Sequence, residues 1–307
     1  MADKSPSSLD YISLLHELTL KNWQTAVMEH DWERAGIAAN KLSESHDRFW
    51  SWLGGLNLAT THLYQGRTGA GLAHLAQAPA VDSVPDPLSI VVENLKAHIF
   101  IETGRCEEAV RVAQKVMASQ SSSPAISETL YFYGSSLLRT ENAADAKKAL
   151  DQLRHETESS GRAAVKLRYH QLSSEMALSE GRLDIGLEEL ERAYRNASSR
   201  QPEGRAQNLQ APILFSLAKA QRRAMQIGEA IRDLETVTAD SNCLLDWPIY
   251  FVRSHYLLGD LYRSQGKFSE AKGEFQRFFD FWGEGDIDRD AIKEARNFLQ
   301  SEGSQGN

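Results

Sequence analysis

The chain has 307 residues, 41% hydrophobic and 25% charged, with 34 Lys and Arg against 42 Asp and Glu for a formal net charge of −8. This is the composition of a folded globular chain, and its acidic balance argues against a nucleic-acid ligand, whose phosphates are held by surplus positive charge. Cys106 and Cys243 form no CxxC pair, the polar start MADKSPSS carries no signal-like apolar stretch, and no run reaches the roughly 18 apolar residues of a membrane helix. A cytoplasmic protein without membrane contact is expected.

Taken in chain order, one helical pattern returns seven times. WQTAVMEHDWERAGIAANKL carries Trp32 and Ala35, and NLATTHLYQGRTGAGLAHL carries Gly66 and Gly71. ENLKAHIFIETGRCEEAVRVAQKVM follows with Gly104 and Ala109, then YFYGSSLLRTENAADAKKAL with Gly134 and Ala146. QLSSEMALSEGRLDIGLEELERA has Gly181, Leu183 and Gly186, and SLAKAQRRAMQIGEAIRDL has Ile227 and Ala230. SHYLLGDLYRSQGKFSEAKGEFQRF closes the series with Gly266, Phe268 and Ala271. A small residue opens each second helix (Ala35, Gly71, Ala109, Ala146, Gly186, Ala230, Ala271), at spacings of 36 to 44. Each unit reads as two helices of roughly 14–18 residues joined by a tight turn, with the small residue where their backbones cross. Pro79, Pro85, Pro87, Pro124, Pro202, Pro212 and Pro248 fall between units or in first helical turns, where a missing N–H costs little.

FDFWGEGDIDRDAIKEARNFL comes next, with Ile292, Ala295 and Leu299 opposite Lys293 and Arg296, an amphipathic cover for the last hydrophobic face. The expected organisation is a disordered start over 1–8, repeats over 9–283, a capping helix over 284–300 and a disordered tail over 301–307, with no second domain. The fold class is all-α: an α-α superhelix of about seven helix pairs, some fifteen helices with the cap, and no sheet.

Leu258-Gly259, Tyr262, Gly266, Phe268, Ala271 and Phe275 of the last unit resemble the tetratricopeptide repeat, whose pattern is L-G, Y, G-x-Y-x-x-A, F. The other units match partially, and their spacing exceeds the family's usual 34 residues. HEAT-type repeats are the structural alternative. The resemblance implies a superhelix whose first helices line a concave face. His98, Tyr131, Ser135, Arg139, Arg168, Gln171 and Glu175 then fall on that face, with Phe215, Lys219, Arg222, Arg223, Arg253, Tyr256 and Arg263 after them. The expected partner is a protein or acidic peptide, since arginine forks suit carboxylate or phosphate and aromatics bury peptide side chains. Ordinary salt-bridged helix surface is the competing reading, and such arginines equally serve self-association. The family's carboxylate clamp does not carry over: at the matching places stand Leu20, Gln24, Asn57, Val91 and Leu95, of which only Asn57 fits. The function implied is a non-enzymatic scaffold or adaptor. The alternative is a peptide-sensing regulatory module controlling a separate effector such as a kinase or protease.

Chemistry is sparse. Asp286, Asp288 and Asp290 have the spacing that opens a calcium loop, but position six is Ala291 and position twelve Asn297, so helix capping is expected instead. None of the nine histidines forms HExxH; His98 and Glu102 share a helix face, which is too few ligands for zinc. There is no GxSxG elbow, Walker loop or dinucleotide fingerprint, so no catalysis, cofactor or metal is expected. Trp23, Trp32, Trp50 and Trp52 read as a bulky cap on the first repeat, or alternatively as an aromatic binding surface.

Overall fold

A computed structural model describes residues 8–77, 87–119, 126–198 and 209–304, which form sixteen α-helices and no strand. Six antiparallel pairs come first: α1 (Ser8–Met28) with α2 (Trp32–Ser43), α3 (Arg48–Tyr64) with α4 (Thr68–Gln77), and α5 (Pro87–Glu102) with α6 (Cys106–Ala118). They continue as α7 (Ile126–Arg139) with α8 (Ala143–Ser160), α9 (Ala163–Ser179) with α10 (Leu183–Ser198), and α11 (Gln210–Arg223) with α12 (Ile227–Ala239). A short α13 (Ser241–Asp246) precedes the seventh pair, α14 (Pro248–Ser264) and α15 (Phe268–Trp282), and α16 (Arg289–Ser304) packs on α15. The seven pairs and the terminal helix are those the sequence predicts. The sixteenth helix, α13, is not; its six residues are too few to display a period. The expected disordered start falls largely outside the described residues, as do Pro79, Pro85, Pro124, Pro202 and the end of the tail. Helix α16 nevertheless runs beyond the expected limit of 300 to Ser304.

Every turn within a pair reverses through one left-handed residue. Four are glycines, Gly66, Gly104, Gly181 and Gly266; the other three are His30 (φ 57°), Glu141 (φ 59°) and Met225 (φ 62°). Gly134 of the sequence pattern is therefore not a turn residue but lies inside α7, where an added Cβ would sit 2.5 Å from Leu172 Cδ2. A side chain at positive φ costs about 1–2 kcal/mol, against which glycine loses about 0.4–1 kcal/mol through the freedom of the unfolded chain. Met225 is 80% exposed, so Met225→Gly should stabilise by up to about 1 kcal/mol. Gly104→Ala meets nothing within 4 Å at φ 75° and should destabilise by about 1 kcal/mol through backbone strain alone. Paired denaturant titrations check both; matching shifts of the same sign would refute the assignment.

The seven small residues occupy the helix crossings. Ala35, Ala109, Ala146, Ala230 and Ala271 are wholly buried, and a Cβ on Gly71 would lie 3.3 Å from the Ala59 carbonyl oxygen. Ala109→Leu or Ala271→Leu should cost about 1–3 kcal/mol by overpacking. Wild-type melting of both variants would overturn this register.

The stack closes on itself. Helix α14 packs against α3, and one continuous core joins Leu20, Trp23 and Leu63 to Phe275, Phe278 and Trp282. Trp282 Nε1 donates to the Leu63 carbonyl at 3.0 Å, and the Tyr64 hydroxyl donates to the Leu244 carbonyl. Phe281 lies 4.5 Å from the His30 ring and 5.7 Å from that of Trp32. Asp286 caps α4 across 218 residues of chain, accepting from Thr68 N (2.8 Å), Thr68 Oγ1 (2.6 Å) and Gly69 N (3.1 Å), while its own N–H donates to the Gly66 carbonyl. Asp286 of the carboxylate run thus caps a helix as expected, but one from the other end of the stack.

Candidate functional site

Closure turns the concave face into an interior. Along α5, Val91, Leu95, His98 and Glu102 recur at alternating steps of four, three and four, so one stripe faces inward. Its N-terminal half is apolar and its C-terminal end is charged, and the interior divides accordingly.

The charged half centres on Glu102, buried at the end of α5. The Arg253 guanidinium bonds its carboxylate, donates to its carbonyl at 2.8 Å, and also forks onto Asp288 at 2.6 and 2.9 Å. The Tyr250 hydroxyl donates to Glu102 at 3.2 Å, and Arg139 approaches to 3.9 Å. Burial alone would raise the Glu102 carboxyl, but Arg253, His98 and Arg139 bring it down to about 2. Glu175 accepts from the hydroxyls of Tyr131 (2.6 Å) and Ser135 (2.5 Å). Lys219 is solvent-exposed yet surrounded by the interior walls, over the Phe215 ring at 5.8 Å, and that enclosure lowers its pKa.

Of the cations on the sequence-predicted face, Arg139, Arg168, Arg222, Arg253 and Arg263 meet carboxylates of this chain. Arg168 pairs with Glu128 and donates to Gln171 at 2.8 Å. Arg222 and Arg263 share Asp260, Arg263 also reaches Glu294 at 2.6 Å, and the Tyr256 hydroxyl donates to the same Glu294. Phe215 is buried 5.5 Å from the Tyr250 ring; Arg223 is exposed at the end of α11. Glu102, Asp260, Glu294 and Tyr250 were absent from the predicted site. The spacing of the three carboxylates on helix faces resembles that of any solvated acid and that of Tyr250 any core aromatic, and only the three-dimensional pairing distinguishes them.

The apolar half is a cavity of about 840 Å³, within the usual range of ligand sites. Trp23, Trp52, Leu56, Phe132 and Trp247 wall it, and the five clamp-equivalent positions, Leu20, Gln24, Asn57, Val91 and Leu95, all open onto it. Of the tryptophan cluster, Trp23 and Trp52 reach the cavity, whereas Trp32 stacks on Tyr64 and Trp50 lies against His16. Trp23 is buried, donating to Thr61 Oγ1 at 3.0 Å, while Trp52 donates to the Leu88 carbonyl, and both reach the cavity wall. Asn57 and His98, each over nine-tenths buried, also line it, and Asn57 Nδ2 and His98 Nε2 have no hydrogen-bond partner among the described residues. A buried polar atom in that state costs energy unless something fills the space beside it. His98 lies between Phe132, Trp247 and Tyr250, at 5.7, 5.9 and 5.2 Å between ring centres.

Burial lowers the His98 pKa to about 4, with Arg253, Arg168 and Arg139 adding to it against Glu102. Burial also lowers His30, aided by His255, and His62, aided by His74 and Arg67. These depressed values mean that the unfolded chain takes up protons first. The stability contributed by neutral histidines is complete above pH 6.5 and is lost as pH falls toward 4. His98 alone accounts for about 3 kcal/mol on that scale. Unfolding midpoints should fall steeply between pH 6.5 and 4, and less steeply in His98→Gln; a flat profile contradicts the burial of neutral His98.

Among the described residues no group of three His, Cys, Asp or Glu is placed to hold a metal ion. Both cysteines are buried, and burial together with Asp240 pushes the Cys243 thiol up to about 12, far from a nucleophile's range. No described helix is long and apolar enough to cross a membrane.

The fold and its interior define an all-α solenoid of antiparallel helix pairs, closed end to end. No family model matches the chain, and no curated protein matches it. Among solved structures it is similar to a tetratricopeptide repeat protein from Parabacteroides merdae ATCC 43184, with 16% identity, 93% of this chain and 98% of that one covered, and a TM-score of 0.49. It is also similar to a putative kinesin light chain from Podospora anserina with nearly identical TPR-like repeats, with 18% identity, 62% and 92% covered, and a TM-score of 0.41. The assignment of architecture rests on the helix pairs of this chain.

Proposed function

We propose that the protein is a non-enzymatic interaction scaffold that holds a segment of a partner protein in its interior. The carrying observation is the aromatic-walled cavity with two buried polar atoms, Asn57 Nδ2 and His98 Nε2, left unpartnered among the described residues at its surface. Extended peptide supplies both apolar side chains and hydrogen-bonding backbone groups for such a site. The interior arginines serve to brace the closed stack, since Arg168 and Arg253 are committed to Glu128, Glu102 and Asp288. A photo-crosslinker placed at Leu56, on the cavity wall, should capture a partner that the same group at exposed Met225 does not. Equal capture from both positions would sink the reading.

A second reading, a peptide sensor governing a separate effector, draws on one observation. The cavity is walled by α1 and α3 on one side and by Leu245, Trp247 and Ile249 on the other, so it straddles the seam between the ends. An occupant there touches both sides of the closure and shifts its equilibrium by its differential affinity for the two states. Hydrogen exchange at α4 and α15, measured with and without the captured segment, distinguishes sensor from passive scaffold.

A further inference from the structure

The polar lining of the cavity is mostly neutral. Gln24, Asn57, Asn94, Asn196, Gln210 and Asn242 all bring side-chain amides to it, and among the described residues no Lys or Arg lines it. The carboxylates that line it, Glu128, Asp240 and Asp246, already have partners. Glu128 pairs with Arg168 and lies 3.5 Å from Asn94 Nδ2. Asp240 accepts from Asn242 N at 2.8 Å and from Cys243 Sγ at 3.6 Å, and Asp246 is engaged as well. His98 is neutral near pH 7, since burial lowers its pKa to about 4. Among the described residues the cavity thus offers hydrogen bonds without a spare charge of either sign.

On the reading that the interior holds a partner segment, we infer that the enclosed part of that segment is apolar and uncharged, and that side-chain amides of the cavity, Asn57 among them, bond its backbone. Three observations select this chemistry. A buried charge without a counter-charge is neutralised or kept out. A Lys or Arg entering here would have to draw a carboxylate from its present partner, and an Asp or Glu would meet carboxylates alone. A side-chain amide, by contrast, both donates and accepts, as a peptide unit does, so the two match without charge. Asn57 Nδ2, buried and with no hydrogen-bond partner among the described residues, is a donor that a main-chain carbonyl would satisfy. A volume of about 840 Å³ between walls such as Trp23, Trp52, Leu56 and Phe132 suits several apolar side chains in a row rather than one. The acidic peptide suggested by the arginines is not favoured at this cavity, because Arg168 and Arg253 are engaged by Glu128, Glu102 and Asp288.

The test is selection of short random peptides displayed on phage against the immobilised full chain, followed by affinity measurement on the selected peptides. Salt at about 0.15 M screens distant surface charge throughout. The expected result is enrichment of apolar sequences depleted of Lys, Arg, Asp and Glu alike. Placing either Lys or Glu at the centre of a selected peptide should weaken binding at least roughly tenfold, about 1.4 kcal/mol. Asn57→Leu should raise the unfolding midpoint of the free protein, because it removes an unsatisfied buried donor, and yet weaken the selected peptides about fivefold. A purely structural Asn57 would not move the two in opposite directions. Selected peptides that depend on a Lys, Arg, Asp or Glu at a fixed position overturn the inference but leave the interior as a peptide site. So does a lowered midpoint, or an unchanged affinity, in Asn57→Leu. Peptides whose affinity is unchanged by Leu56→Arg in a folded variant bind elsewhere, and they overturn the underlying reading as well. The absence of any enrichment has the same consequence.

Discussion

Replacing Arg253 by Met should destabilise the protein by about 3–5 kcal/mol, the cost of leaving a buried carboxylate without its partner. Arg253 reaches the Glu102 carboxylate and carbonyl together and holds Asp288 with the rest of its fork. Without it, Glu102 keeps the more distant Arg139 and His98 and the Tyr250 hydroxyl, and burial raises its pKa. The defect should therefore shrink in mild acid, where a neutral carboxyl relieves the charge, whereas histidine protonation weakens wild type there. Arg222→Met is the control: its ion pair to Asp260 is half exposed, and such pairs contribute about 0–1 kcal/mol. Chemical denaturation of both variants at pH 7 and pH 5 decides the matter. Equal losses for Arg222→Met and Arg253→Met would mean that Glu102 is not the centre of the interior.

Gly54→Ala should be as severe for a different reason. A Cβ there would lie 2.1 Å from the Ser43 backbone nitrogen and 2.6 Å from the Leu42 carbonyl carbon, so α2 and α3 touch backbone to backbone. No flexible side chain is present to yield. The two helices must separate, and the usual gain of about 0.8–1 kcal/mol from alanine over glycine in a helix is outweighed. A loss of about 3 kcal/mol is expected, at the upper end for overpacking. Gly55→Ala, with nothing within 4 Å, should be stabilising by the same helical preference. If the two alanines behaved alike in thermal melts, the close approach of α2 and α3 would be wrong.

The helix pairs were legible because their signals are local. An apolar face repeats every three or four residues, and the alanine or glycine at each crossing lies beside the turn it serves. Turns lacking glycine were harder, as His30, Glu141 and Met225 adopt the left-handed region without advertising it. Closure was illegible for a geometric reason. It depends on the accumulated rotation of successive pairs, which no single unit records. Asp286 illustrates the limit: its spacing announces a cap, but nothing nearby announces that the helix capped is α4. The same limit governs the arginines. Their common face follows from helical periodicity, whereas their carboxylate partners sit on other helices, in the case of Arg253 and Glu102 about 150 residues away in sequence.

An open solenoid frays from its ends, because a terminal repeat has one neighbour and its amides exchange through local opening well below the global free energy. Here the first pairs lean on the last, through Trp282 to Leu63 and Asp286 to Thr68, so neither is terminal in the energetic sense. The chain gains a single melting unit in place of a graded one, and loses the modularity that lets repeats be deleted one at a time. Removing α15 and α16 would strip partners from α3 and α4 as well as from α14. Shortening the protein from its C-terminus should therefore loosen its N-terminal amides.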